Sequence, residues 1–408
     1  MKTLPSLSSE SWLKDGALRR VFDALAAAGG EARVAGGAVR NTLMGEPVND
    51  IDIATTLTPE RIMKAGKKAR LGVHPTGIDH GTITLVVGDK PFEVTTLRVD
   101  VETFGRKARV AFTDDWAADA LRRDFTMNAL YCSPDGKIYD PTKGYEDILR
   151  KRVKFVGAPA ERIMEDALRI LRFFRFHARY GAGLPDRDGL AACVRHRAKL
   201  KTLSSERIRQ ELFKLLEAKR ASDTIRLMAA RQVLKVLFAP AGDLSALARM
   251  AKVDQALGLR PDAVLRLVLV AKDALGLRAR LRLTNAETRR LEAIAHHAGP
   301  TPSLRERERR AVLYHLGQET WRDTVRLGWA KAKAPVSSAK WRDLLAFADQ
   351  WPVPHFPLTG KDLMTRGLKP GPALGRELSR LEDWWIASDF AADKDSLLGK
   401  LEIGEQEG

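Results

Sequence analysis

The chain has 408 residues, a net charge of +17 and only two cysteines, Cys132 and Cys193. That length provides for two or three domains with ample core. Neither cysteine sits in a Cys-x-x-Cys pair, which argues against a zinc site or a disulfide framework and fits a reducing cytoplasm; apolar runs such as Leu267 to Ala271 are far too short to span a membrane, and no secretory signal precedes the first helix.

Residues 1–150 mix strand and helix signals. Glu31 to Ala35 reads as a short strand, Gly36-Gly37 as a turn, and Ala38 to Met44 as a helix. Strand, glycine turn and helix N-terminus in that order make an anion site, with Arg40 one turn in and able to reach the β/γ-phosphates. Asp50 to Thr55 reads as the next strand. Asp50 and Asp52, at i and i+2, then share one face. Paired carboxylates of this kind suit Mg²⁺, which takes one or two carboxylates plus substrate phosphates. An Asp-x-Asp or a Gly-Gly alone is common in loops, so it is the order that carries the signal. The combination points to nucleotidyl transfer from a metal-bound nucleoside triphosphate, with Gly36, Gly37 and Arg40 as the phosphate cradle.

Thr82 to Val87 and Phe92 to Leu97 are β-rich runs split by Gly88-Asp89-Lys90-Pro91, a hairpin signal. Glu93 is a candidate third carboxylate on a neighbouring strand. The interval from Asp100 to Asp119, with Gly105-Arg106-Lys107 and Asp114-Asp115, reads as a long polar loop. In Arg122 to Leu130, Asp124 suits an acceptor for ribose hydroxyls and Arg123 a cation for phosphate. Asn128 is placed to bridge to either. The 2′-hydroxyl separates RNA precursors from DNA precursors.

Beyond residue 150 the β signals fade and amphipathic helices alternate with breaks at 181–185, 239–242 and 299–302. Between Arg150 and Lys235 there are 22 Lys+Arg against 9 Asp+Glu, so most of the net charge lies there. This localised basic stretch suggests a nucleic-acid surface. Within it, Asp166 and Arg169 are i, i+3 on an expected helix. Asp only accepts and Arg only donates. Asp166 against an exocyclic amine and Arg169 against the adjacent ring nitrogen would accept cytosine and adenine alike. Guanine and uracil present the reverse order and would leave mismatched buried groups. An ordinary intrahelical salt bridge is the competing reading. Arg172 and Arg175, on the same stretch, are counted with the substrate-binding residues.

The strings Gly36 to Arg40, Asp50-Ile51-Asp52, Glu93 to Arg98, Arg122 to Leu130 and Glu165 to Arg169 occur in this order. Together with Ser205 to Leu212, they resemble the class II CCA-adding tRNA nucleotidyltransferases and the related bacterial poly(A) polymerases. The resemblance covers about the first 215 residues. It implies an α+β chain: a DNA-polymerase-β-like nucleotidyltransferase head with a mixed sheet and helices, followed by all-helical neck, body and tail domains. Residues 1–150 would be the catalytic head. Residues 151–240 would hold base recognition and RNA binding, and 241–408 the tRNA-binding body and tail. It implies stepwise addition of C, C and A to the tRNA 3′ end from CTP and ATP with Mg²⁺. By carry-over, Asp50 and Asp52 are the metal ligands, Arg123 and Asp124 contact ribose, and Asp166 and Arg169 read the base. The loop of residues 100–119 would help switch specificity from C to A, and the Ser205 helix would support the nucleotide-binding helices. Poly(A) polymerase and an enzyme adding only the terminal A are the alternatives. The family often has Asp where this chain has Asn41, which leaves the orientation of Arg40 open. Near the C-terminus, Thr359 to Met364 and Gly367 to Gly375 resemble the family's tail element. They would form either a phosphate-facing helix N-terminus or a helix-turn-helix packed by Leu363, Leu368 and Leu374. The six tryptophans from Trp321 to Trp385 read as core, Gly404 to Gly408 as a frayed tail, and oligomeric state is left open.

Overall fold

The computed structural model describes residues 3–104, 107–238, 242–297 and 299–401; for 100–104 and 107–109 it describes the backbone alone. The break expected at 239–242 falls largely outside these residues, as do Gly105, Arg106 and the expected frayed tail. The chain divides into two compact units, Met1–Ala241 and Gly242–Gly408.

The first unit opens with α1 (Gly16–Ala27), started by Asp15, whose carboxylate accepts from the N–H groups of Ala17 and Leu18. Next come β1 (Ala32–Ala35), α2 (Gly37–Met44), β2 (Asp52–Thr55), α3 (Pro59–Lys68) and β3 (Gly72–Gly77). They are followed by β4 (Thr82–Val87), β5 (Lys90–Thr96), β6 (Arg98–Phe104), β7 (Lys107–Phe112) and α4 (Trp116–Leu121). The sheet part closes with β8 (Tyr131–Cys132) and β9 (Ile138–Tyr139).

Seven strands form one mixed sheet in the order β3-β4-β5-β2-β1-β8-β9. Ile83, Leu85 and Val87 alternate into the core on β4, as do Phe92 and Val94 on β5. The two strands join through Gly88-Asp89, since Val87 pairs with Lys90. Gly88 has φ +60°, the positive value a II′ turn requires at its first position. Residues 98–104 and 107–112 are strands where a loop was expected over 100–119. They form a separate β6–β7 hairpin, consistent with the period-two alternation of Arg98-Val99-Asp100-Val101-Glu102.

Helices then take over: α5 (Gly144–Leu149), α6 (Pro159–Glu165), α7 (Leu168–Tyr180), α8 (Arg187–Arg195), α9 (Ser205–Leu216), α10 (Ala221–Ala230) and α11 (Leu234–Leu237). Ser204 caps α9, its side chain accepting from the Arg207 N–H. An aromatic cluster anchors α7 to the sheet region. Phe125 packs on Phe155 at 5.0 Å and on Phe176 at 5.1 Å, and Phe155 stacks on Phe173 at 5.5 Å. These rings are buried and fix which face of α7 looks outward.

The second unit is helical: α12 (Leu244–Ala256), α13 (Ala263–Val270), α14 (Leu277–Leu281), α15 (Asn285–His296), α16 (Glu306–Lys331), α17 (Ala339–Gln350), α18 (Gly360–Thr365), α19 (Pro372–Ala387) and α20 (Lys394–Leu398). Trp321, Trp329, Trp341 and Trp385 are buried core residues. Leu363 is buried too, with Leu368 and Leu374 packed against its cluster, so the helix-turn-helix reading describes the tail segment. No helix among the described residues is long and apolar enough to cross a membrane.

Candidate active site

The carboxylates are gathered by sheet register. β2 runs antiparallel to β1 and parallel to β5, and Asp52 pairs with Ala35 on one side and Glu93 on the other. Asp50 does not lie on the strand as expected. β2 begins at Asp52, and Asp50 sits in the exposed approach to it. Asp52 remains open to solvent. Even so, the surrounding protein, and then Glu93 and Asp50, push its carboxyl above the usual range, with Arg123 opposing.

The oxygen donors are hard and suit a divalent cation. No group of three or more His, Cys, Asp or Glu side chains among the described residues forms a ready-made cage.

The glycine turn follows directly from β1. Gly36 caps α2 with φ +65° and ψ −101°, a conformation that L side chains rarely adopt. A Cβ there would lie 3.1 Å from the Asn128 carbonyl oxygen and 3.2 Å from Nη1 of Arg123. Glycine therefore lets the Arg123 guanidinium close over the turn. Arg40 is not the free phosphate reader expected. It is only 7% exposed. Its Nε donates to Oδ1 of Asn41 at 3.1 Å, and its Nη2 to the same oxygen at 2.7 Å and to the Tyr180 hydroxyl at 2.9 Å. Its Nη1 donates to Oδ1 of Asn128. Arg40 thus ties α2 to the end of α7, and burial lowers its pKa. Asn41 orients it without a charge, and Asn41 Nδ2 donates to the Pro47 carbonyl at 2.7 Å, a bond that a carboxylate could not make.

The double-arginine stretch is organised by Asp119, which is 1% exposed. It accepts from Arg122 Nε at 2.7 Å, Arg123 Nη2 at 3.1 Å and the Tyr131 hydroxyl at 2.6 Å. Asp124 is also committed. Its Oδ2 takes Nε and Nη2 of Arg172 at 2.7 and 2.5 Å. Its Oδ1 takes the Phe125 N–H at 2.8 Å and Asn128 Nδ2 at 3.0 Å. Although burial opposes ionisation, Arg172 and these hydrogen bonds hold the carboxyl down at about 2. Asp124 therefore acts on the cavity through Arg172 and Asn128, and it has no spare acceptor for a ribose hydroxyl.

Asp166 and Arg169 are not on one helix. Asp166 is extended, with φ −150° and ψ 108°, and breaks the chain between α6 and α7. Its Oδ1 accepts from the Leu168 N–H at 3.1 Å, and its Oδ2 from Arg207 Nη2 at 2.7 Å. Arg169 donates to the Arg162 carbonyl at 2.8 Å and to Glu165. Arg162 in turn donates to the carbonyls of Arg122 and Arg123. Arg175, one turn beyond Arg172 on α7, pairs with buried Glu211 of α9 at 2.7 Å.

Two cavities meet at Asp52. One, of about 460 Å³, is lined by Gly36, Gly37, Arg40, Arg122, Arg123, Asp124, Asn128, Asp166, Arg169, Arg172 and Arg207. The other, of about 740 Å³, is lined by Asp50, Glu93 and residues of the β4–β5 hairpin. Apart from Arg175, every expected site residue borders one or the other.

Residues 32–154 match the family model for the poly A polymerase head domain, and 186–243 match that for the "Probable RNA and SrmB- binding site of polymerase A". The mitochondrial CCA tRNA nucleotidyltransferase 1 of Danio rerio is 34% identical over 386 residues, covering 91% of this chain and 87% of its own. The chain belongs to the CCA-adding tRNA nucleotidyltransferase family. The CCA-adding enzyme of Latilactobacillus sakei is 28% identical, covering 93% of this chain and 95% of its own. Among solved structures, the Bacillus stearothermophilus CCA-adding enzyme in complex with CTP superposes with a TM-score of 0.78 at 28% identity, covering 95% of this chain and 97% of that one. CCA-adding enzymes are nucleotidyltransferases that generally use a divalent metal.

Against this family background, the residues that sequence reasoning missed are the holders. Asp119 precedes Arg122 and Arg123 by three and four positions, a spacing visible in the sequence. Tyr131 and Tyr180 carry no such local signal, and the i, i+3 spacing of Arg162 and Glu165 says nothing of the reach of Arg162 to the carbonyls of Arg122 and Arg123.

Proposed function

We propose that this chain adds C, C and A in turn to the 3′ end of tRNA, using CTP and ATP, without a nucleic-acid template. The observation that carries this reading is one cavity bordered by Asp52, by the arginines, and by Asp166 from the break between α6 and α7 together with Arg169 of α7. The tRNA 3′-hydroxyl oxygen bonds to the α-phosphorus, the α–β phosphoanhydride bond breaks, and pyrophosphate leaves with its electron pair. Mg²⁺, held by Asp50 and Asp52 with Glu93 alongside, would supply charge neutralisation at the triphosphate and acidify the attacking hydroxyl. Arg123 and Arg172 supply fixed positive charge for the phosphates. Asp166 keeps an acceptor for the exocyclic amine of C or A, and Arg169 a donor for the ring nitrogen. We assign 1–150 to the catalytic head, 151–240 to base recognition and RNA binding, and 241–408 to a tRNA-binding body and tail. The concentration of cationic residues between 150 and 235 supports backbone and shape recognition of RNA. The two free, buried cysteines support action in the cytoplasm.

The deciding experiment supplies tRNAs ending before CCA, after C and after CC, with CTP and ATP singly and together in Mg²⁺. Completion of all three to CCA, followed by arrest, is expected. Addition of A to the CC-ended tRNA alone would instead mean an A-adding enzyme, and a long A tail a poly(A) polymerase.

A further inference from the structure

The second cavity at Asp52 has a chemistry unlike the first. Among the described residues, Asp52 is the one that lines both. The first is walled by arginines. The second has two aromatic side chains, Trp12 and Phe92, with Asn49 and Lys90 beside the carboxylates. Trp12 comes from the segment ahead of α1. Its indole N–H donates to Thr42 Oγ1 at 2.9 Å, and the Thr42 hydroxyl donates to the Ala38 carbonyl at 2.9 Å, so α2 holds the ring in place. Phe92 is buried and forms floor, whereas Trp12 is half-buried. Lys90 at the rim pairs with Asp15, an exposed contact weak enough for a phosphate to displace.

Nucleotidyl transfer is an in-line displacement, so the attacking and leaving oxygens lie on opposite sides of the α-phosphorus. With the triphosphate among the arginines, the attacking hydroxyl arrives from the other side of Asp52. The geometry points to the second cavity as the seat of the acceptor RNA's 3′-terminal nucleotide, with its base stacked on Trp12. This inference rests on the nucleotidyl-transfer reading above. At about 740 Å³ the cavity lies in the usual range for a site enclosing a small ligand. Stacking also meets a specific requirement. The terminal base changes after each addition, so its seat must be indifferent to base identity, and aromatic stacking is sequence-tolerant because every base has a π-face.

The test measures kcat/KM for CTP incorporation into an acceptor RNA with an intact 3′-terminal base and into the same RNA made abasic at that nucleotide. Wild type, Trp12→Ala and Trp12→Leu are compared. Wild type should lose about tenfold or more on the abasic RNA. Both variants should lose as much on the intact RNA and show little further loss on the abasic one. Trp12→Leu keeps apolar bulk, so a shared pattern separates lost stacking from a damaged fold. An abasic penalty of equal size in all three proteins, or full efficiency in the variants, would overturn the inference while leaving the transfer reading intact. A wild type that incorporates nothing into the intact RNA would overturn both.

Discussion

Arg207 reaches from α9 to Asp166, at the break between α6 and α7, and places its Nη2 2.7 Å from Oδ2. The Asp166 carboxylate is thus presented by a residue 41 positions away. Replacing Arg207 with Met should lower kcat/KM for CTP and ATP by about 10- to 100-fold, the scale of a hydrogen bond to a charged group. It should also raise incorporation of UTP and GTP. Single-nucleotide incorporation from each of the four triphosphates reads both effects, and unchanged discrimination would remove Arg207 from base selection.

The carboxylate pair makes the sharpest chemical prediction. Asp52→Ala should abolish incorporation while tRNA binding stays near wild type. Glu93→Gln should lower kcat without abolishing it, because Glu93 neighbours Asp52 in register and is the outer member of the set. Retained turnover in Asp52→Ala would end the metal-ligand assignment.

Asn41 tests how a buried cation is held. Asn41→Leu leaves two Arg40 N–H directions and the Pro47 carbonyl unpaired, which should cost about 2–3 kcal/mol of stability. Asn41→Asp keeps the acceptor for Arg40 and gives it a counter-charge, but loses the bond to Pro47. It should be clearly more stable than the leucine variant. Denaturant unfolding of the three proteins ranks them, and equal stability of Leu and Asp would refute the account.

Gly36→Ala should impair both fold and catalysis. The positive φ costs about 1–2 kcal/mol for a residue with a Cβ, and the new methyl would press on Arg123 Nη1. A rise in the KM for nucleotide is expected alongside a lower melting temperature.

Acid should weaken the first unit in two stages. Burial, with Arg220 nearby, holds the His177 imidazole down at about 4, against an ordinary 6.5. Its folded pKa is depressed, so its contribution is complete above pH 6.5. About 3 kcal/mol should be lost as pH falls from 6.5 towards 4, where the unfolded chain binds the proton and the folded chain does not. Asp124, held at about 2, adds a second loss of about 2 kcal/mol between roughly pH 4 and 2. His177→Gln should flatten the upper stage and leave the lower one. An unchanged slope above pH 4 would contradict the first assignment.

Much of the site was legible because its signals are local. The Asp50-x-Asp52 pair and the Gly36-Gly37 turn lie within twenty residues, and strand and helix periodicity place them. The partnership of Asp52 with Glu93 depends on strand order, which no local pattern carries, although the β run around Glu93 made it a candidate. The misread residues share a cause. Arg40 and Asp124 look like substrate contacts in a linear motif, but Tyr180 and Arg172, contributed by α7, occupy them. Asp166 looked helical because helix signals run on either side of it; its extended backbone makes the break, and its side chain is held there by Arg207 of α9, 41 positions away. The β6–β7 hairpin was hidden by its polar composition, even though its alternation was present.

The cavity walls are also ordered along the chain. A nascent polypeptide that has emerged as far as Cys132 already carries Asp50, Asp52, Glu93 and the glycine turn. It lacks Arg172, Tyr180 and Arg207, which hold Asp124, Arg40 and Asp166. The fragment would have its carboxylates before it could choose a base. Synthesis through α9 therefore separates the chemistry in time from its selectivity, and a head expressed alone should be a poor guide to the specificity of the whole chain.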